Sequence, residues 1–276
     1  TSTTNNMLQQ FIEKDDETSL QTHRITKEDV QQAKQSLKHY IVSSIDKNGN
    51  TLHVECPIAY KNKMEKEVDG KALLFPQDPL ANGTWISISN KNQLVCILNG
   101  AFVKHKHRPP YRLSRGIMAL DFFNYPTAND FFEKFEFEGI ESFTMIIFDD
   151  GKFYEFRWDE KEKHIAQLDI SKQYIWSSCT LYTPEWQEKR RTWFEDWKKK
   201  NQVIDQNAVL DFHRNGGEGH PNFDMVMKWK DIVRTTSITS ILKDGKQMSM
   251  RYEDLLNGEI EEGLLLLQNK KATNDS

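Results

Sequence analysis

Two runs rich in aromatic and branched residues, Phe143 to Phe148 and Phe153 to Trp158, are separated only by the four residues from Asp149 to Lys152, with Asp150-Gly151 at their centre. A connection this short forces antiparallel pairing, because a parallel crossover needs a dozen residues or more. The Asp-Gly pair also supplies the left-handed backbone that a tight hairpin turn requires. The same logic repeats upstream. Tyr40 to Val42 and Leu52 to Val54 bracket Asp46-Lys47-Asn48-Gly49-Asn50, and Thr84 to Ile88 and Leu94 to Leu98 bracket the polar stretch from Ser89 to Gln93. Three hairpins are predicted, with Cys96 to Leu98 in a strand covered on both faces and with Ile165 to Leu168 and Tyr174 to Ser178 extending the sheet.

Helical spacing of apolar residues marks Ser114 to Phe123 and Thr127 to Phe135, broken by Asn124-Tyr125-Pro126. Thr183-Pro184-Glu185 opens a longer helix with a capping hydroxyl, a proline in the first turn and an acid at the positive end. Its Trp186, Trp193, Phe194 and Trp197 form an apolar stripe expected to pack in a core, and Lys198 to Lys200 close it. A further helix is predicted from Val203 to His213, ended by Gly216-Gly217, with strands at Ile232 to Leu242 and Gln247 to Tyr252 after it. Residues 1–38 read as a polar extension with one short helix from Thr26 to Ser36, residues 39–268 as one domain, and residues 269–276 as a polar tail. The expected class is α+β, helices packed on antiparallel sheet.

The balance of 37 basic and 41 acidic residues, a net charge of -4, excludes a nucleic-acid binder that works through a generally basic surface. Cys56, Cys96 and Cys179 are too dispersed for a disulfide framework or a Cys-rich zinc site. No apolar run approaches the roughly 20 residues of a membrane span. These features predict a soluble protein of a reducing, cytoplasmic compartment.

Several ordered blocks carry more information than any one motif. Leu73-Leu74-Phe75-Pro76-Gln77-Asp78-Pro79-Leu80-Ala81-Asn82-Gly83-Thr84-Trp85, then Cys96 to Phe102, then Pro109 to Gly116, then Trp176 to Tyr182, and Thr236 to Ile241 follow one another across roughly residues 55 to 245. This series resembles the Transport and Golgi Organization 2 family, also called the NRDE family. The resemblance implies an N-terminal-nucleophile-hydrolase-like αββα sandwich, two stacked antiparallel sheets between helical layers. It departs at the front, where family members carry Met-Cys-Thr on the first strand and Ser-Asn-Arg-Asp-Glu at the end of the second. Here Tyr40 or a neighbour stands in place of the cysteine, and Glu55-Cys56-Pro57-Ile58 near the missing acidic motif.

An N-terminal nucleophile needs its side chain and a free α-amine on one residue. With some 38 residues ahead of the first hairpin strand, and no cysteine in it, that chemistry is not expected from this chain. Thr1 is formally a nucleophile with its own amine, but Thr1-Ser2-Thr3-Thr4-Asn5-Asn6 lacks the alternation that would seat it in a central strand. The resemblance points to Asn99 as an oxyanion-hole donor, against the plain alternative of a turn asparagine bonding local backbone. Ser178 stands near a second asparagine of the relatives' site and is a weaker candidate.

Lys104-His105-Lys106-His107-Arg108, with Arg112 and Arg115, is the one concentrated basic segment. It reads either as a ligand-binding group or as a solvated charged loop. The resemblance brings haem and acyl-coenzyme A or lipid chemistry into view, ligands that join an apolar body to anionic groups. His105 or His107 would suit a haem iron. His213 and His220 flank Gly216-Gly217-Glu218-Gly219, either a mobile lid or an ordinary glycine-rich turn, with no zinc or phosphate-loop spacing. The expected function is binding or trafficking of a small amphipathic anion without N-terminal-nucleophile catalysis. The alternative is an amide or thioester hydrolase or acyltransferase activated by processing, and no metal or firm cofactor is expected.

Overall fold

The computed structural model describes the backbone of residues 40–45, 51–56, 63–68, 71–78, 81–201, 203–229 and 233–268, and the side chains of these from residue 71 onward except 229. The helix expected at 26–36 and Thr1 lie outside them. The chain gives β1 (Tyr40–Ile45), β2 (Thr51–Cys56), β3 (Lys63–Val68), β4 (Lys71–Pro76), β5 (Ile86–Ser89), β6 (Gln93–Asn99), α1 (Arg115–Asp121) and α2 (Ala128–Lys134). There follow β7 (Phe143–Asp149), β8 (Lys152–Trp158), β9 (Lys163–Leu168), α3 (Pro184–Lys200), α4 (Gln206–Asn215), β10 (Lys228–Trp229), β11 (Val233–Arg234), β12 (Ser237–Asp244), β13 (Gln247–Asp254) and β14 (Ile260–Leu266).

Strands β3 to β9 form a seven-stranded sheet in sequence order and β12 to β14 a three-stranded one, each antiparallel throughout. The predicted β1–β2 hairpin forms with Tyr40 opposite Cys56, as a two-stranded sheet of its own. In the β7–β8 turn Asp149 pairs with Lys152, and Asp150 and Gly151 take φ of 48° and 92°, the pair of positive angles that a two-residue hairpin demands.

Alternation along the strands sorts the side chains into two cores. Leu73, Phe75, Val95, Met145, Ile147 and Phe156 face α1, α2 and the Phe122–Asn124 turn, against Met118, Phe122, Phe123 and Phe131. Phe131, fully buried, sits edge-on to Phe122, Tyr125 and Phe137 at 5.4, 5.4 and 5.3 Å, the arrangement that aligns ring edge with ring face. The opposite face of the sheet carries Leu74 and Ile88, which pack on Met248, Met250 and Leu265 of the small sheet. Beyond that sheet, Gln206 of α4 donates to the Ser240 hydroxyl at 3.0 Å, Arg214 pairs with the buried Glu253, and α3 packs Phe194 and Trp197 at a tilt against Phe212. Helices, large sheet, small sheet, helices is the αββα order.

Two expectations are corrected. Tyr174 to Ser178 is not a strand. Tyr174 and Trp176 stack on each other at 5.5 Å and lean on Phe153 of β8, so ring packing over the sheet replaces pairing at its edge. The last helix starts at Gln206 rather than Val203, because the Asp205 carboxylate caps the Ala208 N–H at 2.8 Å. Among the described residues no helix is long and apolar enough to cross a membrane.

Candidate functional site

The motif blocks singled out in the sequence meet in space at two junctions. At the first, Gly83 and Gly116 lie backbone to backbone: a Cβ on Gly83 would fall 2.5 Å from the Gly116 carbonyl carbon. The Thr84 N–H donates to the Gly116 carbonyl at 3.1 Å, and the buried Thr84 hydroxyl reaches the carbonyls of Pro76 and Ile86. This contact locks the start of α1 onto β5 and needs glycine on both sides.

The second junction is the end of β6, where Asn99-Gly100-Ala101 meets Ser178-Cys179-Thr180. The Ser178 hydroxyl donates to the Asn99 carbonyl at 2.9 Å, and the Cys179 thiol to the carbonyls of Asn99 and Val103. Gly100 has φ of 80°, and a Cβ there would run into Cys179 Sγ and stand 2.7 Å from Thr180 Cγ2. Its N–H bonds the Ser142 carbonyl, and its own carbonyl accepts from Thr144 at 2.9 Å. The Asn99 side chain is exposed at the strand end and makes no hydrogen bond among the described residues, so its amide is available to a ligand. Its neighbour Ser178 is committed to backbone.

Cys179 is the thiol nearest this amide, and its surroundings argue against a nucleophile. Burial pushes its pKa up, only partly offset by Arg157, and the acceptors it faces are carbonyls, which cannot take its proton. Cys96 lies deeper still, pushed to about 11 by burial.

Around this junction Arg157 and Arg191 join Leu98, Ile175, Trp176 and Gln187 in lining a cavity of about 60 Å³. Arg157 bonds the Ala101 carbonyl and pairs with Glu155 at 2.8 Å. Glu155 also accepts from the Trp176 indole at 2.6 Å. Burial raises the Glu155 pKa, but Arg157 and Trp176 outweigh it and hold the carboxylate ionised. Arg191, more exposed, bonds Glu188 through Nε and Nη2, and its Nη1 has no partner among the described residues. Beside the cavity Phe102, Val103 and Leu181 are exposed apolar side chains, 51%, 72% and 45% accessible, with Arg157 lying 5.0 Å over the Phe102 ring.

The basic segment is organised differently. His105 Nε2 and His107 Nδ1 each lie 3.0 Å from Glu141 Oε1, and Arg115 Nη2 holds Glu141 Oε2 at 3.0 Å, so three of the expected ligand residues converge on one carboxylate. Burial pushes Glu141 up, while Arg115 and the two imidazoles pull it further down, below its ordinary value. Arg112 is spent on the Glu136 and Glu138 carbonyls, and the Arg108 guanidinium has no partner among the described residues. Among those residues no group of three or more His, Cys, Asp or Glu side chains is arranged to hold a metal ion. In the glycine loop Glu218 is tied to Trp193 and Lys189, and His220 packs against Trp186 and Phe223.

Arg157, Trp176 and Glu141 were not among the candidates drawn from sequence. The Glu155-x-Arg157 spacing, which puts both side chains on one face of a strand, was the available signal for the first. Glu141 follows a loop with no spacing cue at all.

Two structures of conjugated bile acid hydrolase variants from Clostridium perfringens are similar to this chain at 10% identity, each over 84% of this chain and 88% of theirs, with TM-scores of 0.38 and 0.39. No curated protein matches the chain. The family model described as Transport and Golgi organisation 2 matches residues 61–215, a span that runs from β3 through α4 and holds both glycine junctions, the Asn99 strand end and the Arg157 cavity. With more than half of its length matched, the chain belongs to the Transport and Golgi organisation 2 family.

Proposed function

We propose that this family member binds a small amphipathic anion, haem or an acyl-coenzyme A being the candidate classes, at the end of β6, and does so without N-terminal-nucleophile catalysis. The observation that carries the reading is a cavity of about 60 Å³ lined by Arg157 and Arg191, room for one anionic group, beside exposed apolar side chains. Arg157 and Arg191 meet the anion, and the apolar body lies along Phe102, Val103 and Leu181. Binding without chemistry is supported by Cys179, whose thiol faces backbone carbonyls and has no base beside it among the described residues, and by β1, whose Tyr-Ile-Val-Ser-Ser-Ile contains no cysteine. The reading places the protein in a reducing, cytoplasmic setting, where Cys96 and Cys179 persist as free thiols.

The test is titration of the full chain with haem and with palmitoyl-coenzyme A, while free coenzyme A release is followed in the same samples. The expected result is saturable binding of one probe at micromolar concentration with no thiol release. Arg191→Ala weakens binding about 5- to 10-fold, the loss of one charge-assisted hydrogen bond. Absence of saturable binding by both probes, or binding indifferent to Arg191→Ala, refutes the reading, and catalytic thiol release replaces it with the acyl hydrolase alternative.

A further inference from the structure

We propose a second ligand site at the opposite end of β6, a cleft that takes a small molecule carrying a chain of phosphates. Gln93 and Asn99 stand at the two ends of this strand, about 20 Å apart at the rise of an extended chain, so the cleft is separate from the Arg157 cavity beside Leu98. It encloses about 950 Å³, near the upper end of the roughly 300–1,000 Å³ usual for small-molecule sites.

Four places far apart in sequence bring five lysines to its walls: Lys71 at the start of β4, Lys91 in the β5–β6 turn, Lys152 after the β7–β8 turn, and Lys243 and Lys246 around the β12–β13 turn. Lys71 is 7% exposed, with Nζ fixed on the Tyr125 carbonyl at 2.7 Å. Lys91 is held to Gln268 at 2.5 Å and Lys243 to the Gly245 carbonyl at 3.3 Å. Lys152 and Lys246 are exposed and have no partner among the described residues.

The acids lining the cleft are Asp149 and Asp150. Asp149 is buried and accepts from the Gln93 amide at 3.1 Å and the Ala128 N–H at 2.8 Å, while Asp150 accepts from Asn92 at 3.0 Å. Five lysines against two aspartates leave an excess of three positive charges in a protein whose net charge is -4. A single carboxylate would leave most of that excess uncompensated. A tri- or tetraanion matches it, and the ammonium group is a compact charge suited to phosphate oxygens. Pro126 and Leu267 leave room on the walls for an organic body.

Calorimetric titration of the full chain with inorganic tripolyphosphate and with ATP tests the assignment and separates the two sources of that chemistry. Saturable binding of at least one probe is expected, weakening as salt rises from about 50 to 200 mM. The double variant Lys152→Glu/Lys246→Glu, both positions exposed, weakens it at least 10-fold with an unchanged melting temperature. Arg191→Ala leaves it intact, so this test stands whatever becomes of the Arg157 cavity. No saturable binding of either probe at low salt, or affinity unchanged in the double variant, overturns the proposal. Should the double variant fail to fold, Lys91→Ala supplies the same comparison, with a loss of at least 3-fold expected and no loss refuting it.

Discussion

Replacing Gly100 by alanine tests the packing that holds the two family blocks together at the end of β6. The residue sits at φ of 80°, where an L side chain costs about 1–2 kcal/mol. The added methyl also meets Cys179 Sγ and, at 2.7 Å, Thr180 Cγ2. Both atoms belong to a loop pinned by the Ser178 and Cys179 bonds to the Asn99 carbonyl, so the loop yields only by giving up those bonds, an overpacking cost of about 1–3 kcal/mol. The total is about 2–5 kcal/mol, a substantial part of the 5–15 kcal/mol or so that holds an ordinary domain folded. Urea unfolding should show the midpoint falling by about 1–2 M with little change in slope. In a Cys179→Ala background the steric part is partly relieved, and a double-mutant cycle should give a coupling of about 1 kcal/mol or more. A Gly100→Ala cost within about 0.5 kcal/mol, or a cycle without coupling, would refute the geometry.

Three further outcomes are expected. Gly83→Ala should destabilise by about 3 kcal/mol or more, because its methyl meets Gly116 backbone that cannot rotate aside; a thermal melt close to the parent protein's would contradict the junction. Glu141→Gln should flatten the acid limb of the stability profile. The Glu141 pKa is held below its ordinary 4.5, so its contribution is fully present above that pH and is lost as pH falls through the lowered folded value. Melting temperatures from about pH 6 to pH 3 should therefore show a shallower decline in the variant, and parallel curves would count against the His105–His107–Arg115 cluster. In native protein at pH near 8, Cys96, with its pKa at about 11, should resist iodoacetamide, its thiolate being about one part in a thousand; peptide mapping that finds it alkylated as fast as Cys179 would show that β6 is less enclosed than described.

The hairpins were legible because turn chemistry is local. Asp150-Gly151 announces its own backbone angles, and flanking apolar residues do the rest. Strands β3 and β4 also pair across a two-residue Asp69-Gly70 connection, with Val68 opposite Lys71, yet Lys63-Met64-Glu65-Lys66-Glu67-Val68 has too little apolar alternation to declare a strand. Strand β14 was hidden for the opposite reason: Leu264 to Leu267 reads as a short apolar run, and its partner β13 is what makes it a strand. Helices α1 and α2 were readable from apolar spacing and α3 from its cap, Thr183, which accepts the Trp186 N–H as expected; Ser114 and Thr127 cap the other two.

The site was legible only in its parts. Asn99 and the Trp176 to Tyr182 block could be picked out, but their meeting depends on a contact across about 80 residues that no periodicity encodes. The convergence of His105, His107 and Arg115 on Glu141 is equally nonlocal. Sequence shows a run of positive charge there, whereas the fold supplies the carboxylate that gathers Arg115 and the two histidines.

The most direct measurement of anion binding at the end of β6 is a nitrogen–proton correlation spectrum of the tryptophan indoles during titration with palmitoyl-coenzyme A and with haem. The Trp176 indole is held by Glu155 in the head-group cavity, while Trp193 is tied to Glu218 in the glycine loop. The account predicts a saturable shift or broadening of the Trp176 signal with one of these probes, moved to higher ligand concentration in Arg191→Ala and absent from Trp193, with the ligand recovered unchanged. A Trp176 signal indifferent to both probes, or a ligand recovered cleaved, would contradict it.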